Sequence, residues 1–368
     1  MEGTEDSALD RSFSPLLLFG HKHSGPHGTN ADGAQGEARD DDGKAAKRHD
    51  QDEPDEDAED DETTKRGDDE TEKMSKDPLF FFYSISKRRS VCKRVEDLRY
   101  HLYRPTPQGW LLMTHPCSCL TFLWNPFTRQ RIGLPPDIDK LLMRNPVRCV
   151  LSHEPTDPSC TVLVVNCMDT VLWYCRPGGA GWSEHAYTAD SLDHDRNNLI
   201  HSMSNVTAAG GKFYAHLFDN ILTLELSPDP TFTKTRVIDD QLKPMYRTWS
   251  YHLLESCGEL FSVSFYHPLL MERRDKVALI VVRKLDLSAR AWVEVETIGD
   301  RAFLVDPIHF TASIGAKEAG LKGNWVYYLR QGEKGLYVHN MERGTTTMHD
   351  PAPDLPDDAT GVILMPAA

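Results

Sequence analysis

The sequence contains no apolar run of the roughly 18–20 residues that a membrane-spanning helix needs, and its longest apolar stretches, such as Leu79 to Tyr83, are strand-sized. Glu2, Glu5 and Asp6 stand ahead of the first apolar run, which fits neither a signal peptide nor an Arg-rich, acid-poor transit peptide. These absences point to a soluble cytoplasmic or nuclear protein with no membrane partner. Cysteine is present eight times but without regular spacing; Cys117 and Cys119 form a C-x-C with no second pair to complete a zinc site. Reduced, mostly buried thiols are expected. Helical periodicity is scarce as well, and only Val91 to Tyr103 and Asp137 to Met143 leave room for a short helix.

Catalytic signatures are missing too. The chain has no G-x-S-x-G, no H-E-x-x-H and no kinase set. Gly178-Gly179-Ala180-Gly181 lacks the Lys-Ser/Thr of a phosphate loop and reads as a turn between strands. His194-Asp195 and His349-Asp350 are isolated pairs, and His21, His23 and His27 have no carboxylate or Cys ligand at a regular spacing. The expectation is a protein that is not an enzyme, with no catalytic residue, cofactor or metal.

What the sequence does contain is strongly segregated. Of a formal net charge of −15, most comes from Glu37 to Lys73, where eighteen acidic residues face seven basic ones. Residues 21–77 are nearly free of β-branched and aromatic side chains, so they cannot bury enough apolar surface to offset their ordering entropy. They are expected to be disordered, as are residues 1–12. The acidic tract is a solubilising spacer or a binder of basic proteins, in the manner of an acidic chaperone. No basic groove is visible, which argues against nucleic acid; Lys87-Arg88-Arg89 with Lys93-Arg94 reads first as a solvated turn.

Compact apolar runs flank the acidic tract: Ser14-Pro15-Leu16-Leu17-Leu18-Phe19 before Gly20, and Leu79 to Ile85 after it. They suggest a strand pair with an enlarged connecting loop, since loop-closure cost grows only logarithmically with length. From Gln108 onward a Gly followed by aromatic and apolar residues repeatedly opens a strand: Gly109-Trp110, Gly211 to Tyr214, Gly258 to Phe261 and Gly323 to Tyr327. Second strands and their returns carry Trp124 with Pro126, Trp173 with Pro177, then Trp182 and Trp292. The recurring turns lie roughly 50–60 residues apart, near the period of a four-stranded propeller blade. The tryptophans are expected in the packing between blades. Val362 to Met365 is a candidate closing strand beside the N-terminal ones, which would remove exposed edges. The expected fold is all-β: one β-propeller over residues 13–368, about six blades (five to seven), with residues 21–77 inserted in the first.

Several of these segments, in order, resemble the plant KIB-type β-propeller family, domain of unknown function 295, whose members often carry an F-box upstream. They are Gln108-Gly109-Trp110-Leu111-Leu112, Phe122-Leu123-Trp124-Asn125-Pro126, Cys175-Arg176-Pro177-Gly178 with Trp182, Gly211-Lys212-Phe213-Tyr214, Gly258-Glu259-Leu260, Trp292-Val293-Glu294-Val295 and Gly323-Asn324-Trp325-Val326-Tyr327. The resemblance implies a propeller and, in F-box members, a substrate-receptor role in ubiquitin ligases; it carries no catalytic motif. A fold that starts near Phe13 leaves no room for an F-box, so a Skp-type adaptor is not expected as a partner. A protein partner is expected on one propeller face. The alternatives are a small-molecule binder or enzyme using the central channel, and the acidic chaperone-like role.

Overall fold

A computed structural model describes residues 8–20, 79–144, 146–187, 203–217, 220–226, 229–238, 246–268 and 277–367. The chain divides into two units: Met1–His21 with Pro78–Ala368, and Lys22–Asp77. The second unit, and with it the acidic tract, His23 and His27, lies outside the described residues, as do His21 and His194-Asp195.

The first unit is a six-bladed β-propeller. Blade 1 joins β1 (Leu16–Phe19), β2 (Phe80–Ser84) and β3 (Arg89–Lys93) to the last strand, β25 (Gly361–Leu364), in the order β25-β1-β2-β3. Blade 2 holds β4 (Leu102–Pro105), β5 (Leu111–Thr114), β6 (Thr121–Trp124) and β7 (Arg131–Leu134). Blade 3 holds β8 (Val147–Leu151), β9 (Val162–Asn166), β10 (Val171–Cys175) and β11 (Ser183–Ala186), and blade 4 β12 (Val206–Ala209), β13 (Lys212–Leu217), β14 (Asn220–Glu225) and β15 (Thr231–Arg236). Blade 5 holds β16 (Tyr246–Ser256), β17 (Glu259–Pro268), β18 (Leu279–Asp286) and β19 (Ala291–Glu294). Two short helices, α1 (Glu96–Tyr100) and α2 (Leu141–Arg144), sit in the links before β4 and before β8.

Blade 6 departs from the pattern. It has five strands, ordered β21-β20-β22-β23-β24: β20 (Arg301–Asp306), β21 (Phe310–Gly315), β22 (Trp325–Leu329), β23 (Leu336–Asn340) and β24 (Thr345–His349). β20 and β22 run parallel, whereas the other pairs are antiparallel. β20 touches β25 of blade 1, while β21 touches β16 and reaches β12, so the additional strand lies on the axial side of the ring.

Six separate apolar clusters hold the blades together, one at each junction. Leu16, Phe82 and Trp124 meet between blades 1 and 2, and Leu123, Val164 and Trp173 between blades 2 and 3. Val165, Phe213 and Leu222 lie between blades 3 and 4, and Ile221, Leu285 and Trp292 between blades 4 and 5. Phe261, Phe303 and Tyr328 join blades 5 and 6, and Leu304, Ile363 and Leu17 close the ring from blade 6 to blade 1. The alternation of each strand thus sends successive side chains to opposite neighbours, which is why blade strands read as continuous apolar runs.

The turns before outer strands share a five-residue device. Asn125 Oδ1 accepts the amides of Phe127 (2.9 Å) and Thr128 (3.1 Å), and Arg129 then takes a left-handed φ of 61°. Asp286 Oδ1 does the same for Ser288 and Ala289 ahead of Arg290 at 50°, and Asn340 for Glu342 and Arg343 ahead of Gly344 at 61°. In blade 1 the Ser84 hydroxyl accepts the amide of Lys87, and Arg88 stands at 52°. A short polar side chain satisfies the turn amides, and one positive φ returns the chain.

Candidate functional site

The strand directions give the ring two faces. The innermost strands end on one of them, here the hairpin face, because Gln108, Glu154, Ser313 and Ala367, which follow or end β4, β8, β21 and β25, line one cavity there. The opposite ends, on the loop face, carry the links between blades.

The axis is occupied near the loop face. Arg148, the second residue of β8, sends Nε to the Ile308 carbonyl (3.1 Å) and Nη2 to that of Pro307, crossing from blade 3 to the opposite blade 6. The turn it meets is built by Asp306, whose Oδ1 accepts the amides of Ile308 (3.1 Å) and His309 (3.1 Å) and the His309 ring Nδ1 (3.0 Å). Asp306 Oδ2 accepts the Ile363 amide of β25 (3.3 Å). Burial pushes the Asp306 carboxyl up, but His309 and the backbone amides outweigh it and hold it below the usual carboxylate range. His252 of β16 completes the group: burial, then the Arg148 charge, push its imidazole down to about 3, and its Nδ1 has no hydrogen-bond partner.

On the hairpin face a cavity of ≈ 800 Å³ opens where blades 1, 2, 3 and 6 converge. Its wall combines the hydroxyls of Ser12, Ser14, Ser86 and Ser313 with Ile314, Ala319 and Met365 and with the charged Arg11, Lys87, Glu154 and Lys317. Arg11 Nη2 donates to the Ala367 carbonyl (2.6 Å), and Lys87 Nζ donates to the Ser12 hydroxyl (2.7 Å) and covers the Phe13 ring. Burial raises the Glu154 carboxyl, opposed by the Trp110 indole N–H that it accepts at 3.3 Å. Among the described residues no three His, Cys, Asp or Glu side chains form a metal-binding group, and no helix is long and apolar enough to cross a membrane. All eight cysteines are free; Cys149, Cys160 and Cys175 are buried, but Cys92, Cys117 and Cys257 are exposed, so burial of the thiols is less general than their apolar setting suggests.

The sequence model of the KIB1-4 beta-propeller family matches residues 82–348. The chain belongs to that family. Curated relatives include an F-box/kelch-repeat protein of Arabidopsis thaliana, 26% identical over 290 residues that cover 74% of this chain and 76% of the relative. A second Arabidopsis thaliana F-box protein is 25% identical over 223 residues, which cover 61% of this chain and 56% of the relative. The chain therefore spans little more than half of that second protein. Among solved structures, YCF48 bound to D1 peptide aligns at 10% identity with a TM-score of 0.35, covering 79% of this chain and 84% of that one.

In this KIB1-4 propeller the motif residues lie at blade junctions and turns. Trp110 and Trp173 share the junction of blades 2 and 3, where Trp182 also packs. Their indole N–H groups donate to Glu154, to Glu184 (2.9 Å) and, from Trp182, to the Pro135 carbonyl (2.8 Å). Trp124 and Trp292 are buried at the junctions of blades 1 with 2 and 4 with 5, each with an unpaired indole nitrogen. The Pro126 carbonyl accepts the Leu9 amide (3.2 Å), and Pro177 sits in the turn from β10 to β11. Tyr214 lines a groove of ≈ 470 Å³ with Gly258 and Leu260, and Tyr327 accepts the Lys322 amide (3.2 Å). A side chain at Gly211 would meet His153, and one at Gly323 would meet the Gly299 carbonyl. None of these residues faces the axis group of Arg148, His252, Asp306 and His309, which the sequence motifs do not mark; the available signal is a polar residue inside an apolar strand run, as in Val147-Arg148-Cys149-Val150.

Gly109 marks ring closure. Its φ is 82°, and a Cβ there would stand 2.4 Å from the Ala367 nitrogen, so the turn from β4 to β5 lies directly against the segment after β25. Gly109→Ala should lower stability by about 1–3 kcal/mol through backbone strain and displacement of residues 366–367. Urea unfolding checks this, and an unchanged midpoint would count against that close packing.

Proposed function

We propose that this KIB1-4 propeller is a protein-interaction module that receives a segment of a partner polypeptide in the hairpin-face cavity. The observation that carries the reading is the cavity itself: ≈ 800 Å³ at the convergence of four blades, with hydroxyls, charges and apolar side chains interleaved. Concave sites of this size with a few convergent polar groups are the usual places for recognition. Kinship with F-box proteins supports the finer form, in which the propeller is the substrate receptor of a ubiquitin ligase. The reading is binding rather than catalysis. β21 and the Arg148 contact occupy the axis, where a channel enzyme would place its chemistry.

The test compares affinity capture from plant extract by the native chain and by an Ala319→Trp variant, whose indole fills part of the cavity. Proteins held by the native chain and depleted at least tenfold with the variant, at unchanged thermal stability, are the expected result. Skp and cullin components in the native eluate would support the ligase form. An identical set of proteins from both baits would refute the cavity reading.

A further inference from the structure

The rim of that cavity is rich in basic side chains. Arg11 precedes β1, Lys87 and Arg88 form the turn from β2 to β3, and Lys317 and Lys322 lie on the link from β21 to β22. The two turns are neighbours: a Cβ placed on Gly320 would stand 3.3 Å from the Ser86 Cβ. Cations from three separate elements therefore gather on the side of the cavity formed by blades 1 and 6.

What these cations touch is the informative part. Elsewhere, several described cations are matched by carboxylates: Arg131 by Asp97, Lys212 by Glu225 (2.8 Å), Arg330 by Glu333 (3.1 Å), and Lys334 by Asp350 (3.3 Å) and Asp357 (3.2 Å). At the rim the hydrogen-bond and ring contacts are neutral. Arg11 bonds a carbonyl, Lys87 a hydroxyl and the Phe13 ring, and Lys322 covers the Trp325 ring at 4.6 Å. Arg88 and Lys317 are exposed and make no ion pair among the described residues. The carboxylates nearby offset them only in part. Asp10 accepts the Ser12 amide and is attracted by the Lys87 and Lys93 charges, Glu154 on the far wall accepts the Trp110 indole, and Glu318 shares the basic loop, so Arg88, Lys317 and Lys322 keep no ion pair among the described residues.

We infer that the rim reads an acidic segment of the partner polypeptide, its carboxylates facing Arg88, Lys317 and Lys322 and its backbone meeting the cavity hydroxyls. This inference rests on the cavity reading above and names the chemistry of the partner. Charge complementarity at a rim sets specificity and encounter rate, and it weakens with salt. The chain is acidic overall, so attraction to an acidic partner has to come from this local cluster rather than from the long-range field.

Fluorescence anisotropy with labelled deca-glutamate, deca-glutamine and a phosphoserine-bearing glutamine peptide tests it. The full chain should bind deca-glutamate at least tenfold more tightly than deca-glutamine at low salt and lose most of that preference at 300 mM salt. The triple variant Arg88→Glu, Lys317→Glu, Lys322→Glu changes exposed side chains and should keep its thermal stability while losing the preference. Equal binding of deca-glutamate and deca-glutamine, or an unaffected triple variant, overturns the inference. Binding of the phosphopeptide alone overturns the carboxylate assignment. The two levels separate cleanly: partner capture abolished by Ala319→Trp but untouched by charge reversal leaves the cavity reading standing and removes the acidic partner.

Discussion

Replacing Arg148 by Met should destabilise the propeller by about 3–5 kcal/mol, since hydrogen bonds from a buried charged donor contribute roughly 1.5–3 kcal/mol each and their loss leaves acceptors unpaired. Methionine keeps most of the volume of the side chain, so packing changes little, but the Pro307 and Ile308 carbonyls lose their donor on the axis. The turn they belong to also holds Asp306, which ties β20 to β25 through the Ile363 amide. Loosening it therefore weakens the closure of blade 6 on blade 1 as well as the contact across the ring. Melting should fall by on the order of 6–15 °C. Arg148→Lys, which keeps the charge but not the two-pronged geometry, should lie between the two. A Met variant within 1 kcal/mol of native in urea unfolding would mean that the axial contact is incidental.

Stability should also fall steeply with acid, and His252 should account for much of the slope. Its folded pKa, about 3, lies below the ordinary imidazole value of 6.5, because burial and the Arg148 charge disfavour the imidazolium. Between those values the unfolded chain binds a proton that the folded chain does not, so stability decreases as pH falls through 6.5 toward 3. At pH 4.5 the single site is worth on the order of 2–3 kcal/mol relative to neutral pH. His339, His101 and His349 are also pushed down, chiefly by burial, and add to the same window. Asp306 acts lower: its depressed carboxyl contributes stability that is lost only as pH drops below about 3.8. Urea midpoints at pH 7.5 and 4.5 should therefore differ less for His252→Gln than for the native chain. Equal differences would place the titration elsewhere.

The sequence made the repeat legible because each blade has the same job. Apolar runs between Gly-led turns announce strands buried on both faces, and Leu16 to Phe19, Phe80 to Ser84 and Gly361 to Leu364 come together in blade 1 as their isolated apolar character suggests. The five-residue turn was only half legible: Asn125, Asp286 and Asn340 are polar turn openers, but the left-handed φ of Arg129 and Arg290 has no sequence marker and only Gly344 carries one. The fifth strand of blade 6 was not legible. Nothing in Phe310 to Gly315 distinguishes a strand inserted toward the axis from an ordinary blade strand, because that position depends on the contacts of β21 with β16 and β12. The cavity was hidden for a related reason: its wall is assembled from turn and terminal residues as distant as Ser12, Glu154 and Met365. Local pattern reports periodic packing, whereas surfaces formed by ring closure depend on residues far apart in the chain.

Blade 1 has a consequence for how the protein is made. Its four strands come from residues 16–19, 80–93 and 361–364, so its innermost strand is synthesised last. At the roughly 5–20 residues per second of translation, β1 waits on the order of half a minute for β25. During that interval the nascent chain presents an unpaired edge of four buried-type residues, Leu16 to Phe19. That edge closes only once β25 has been made, so blade 1 is completed after the other strands of the ring.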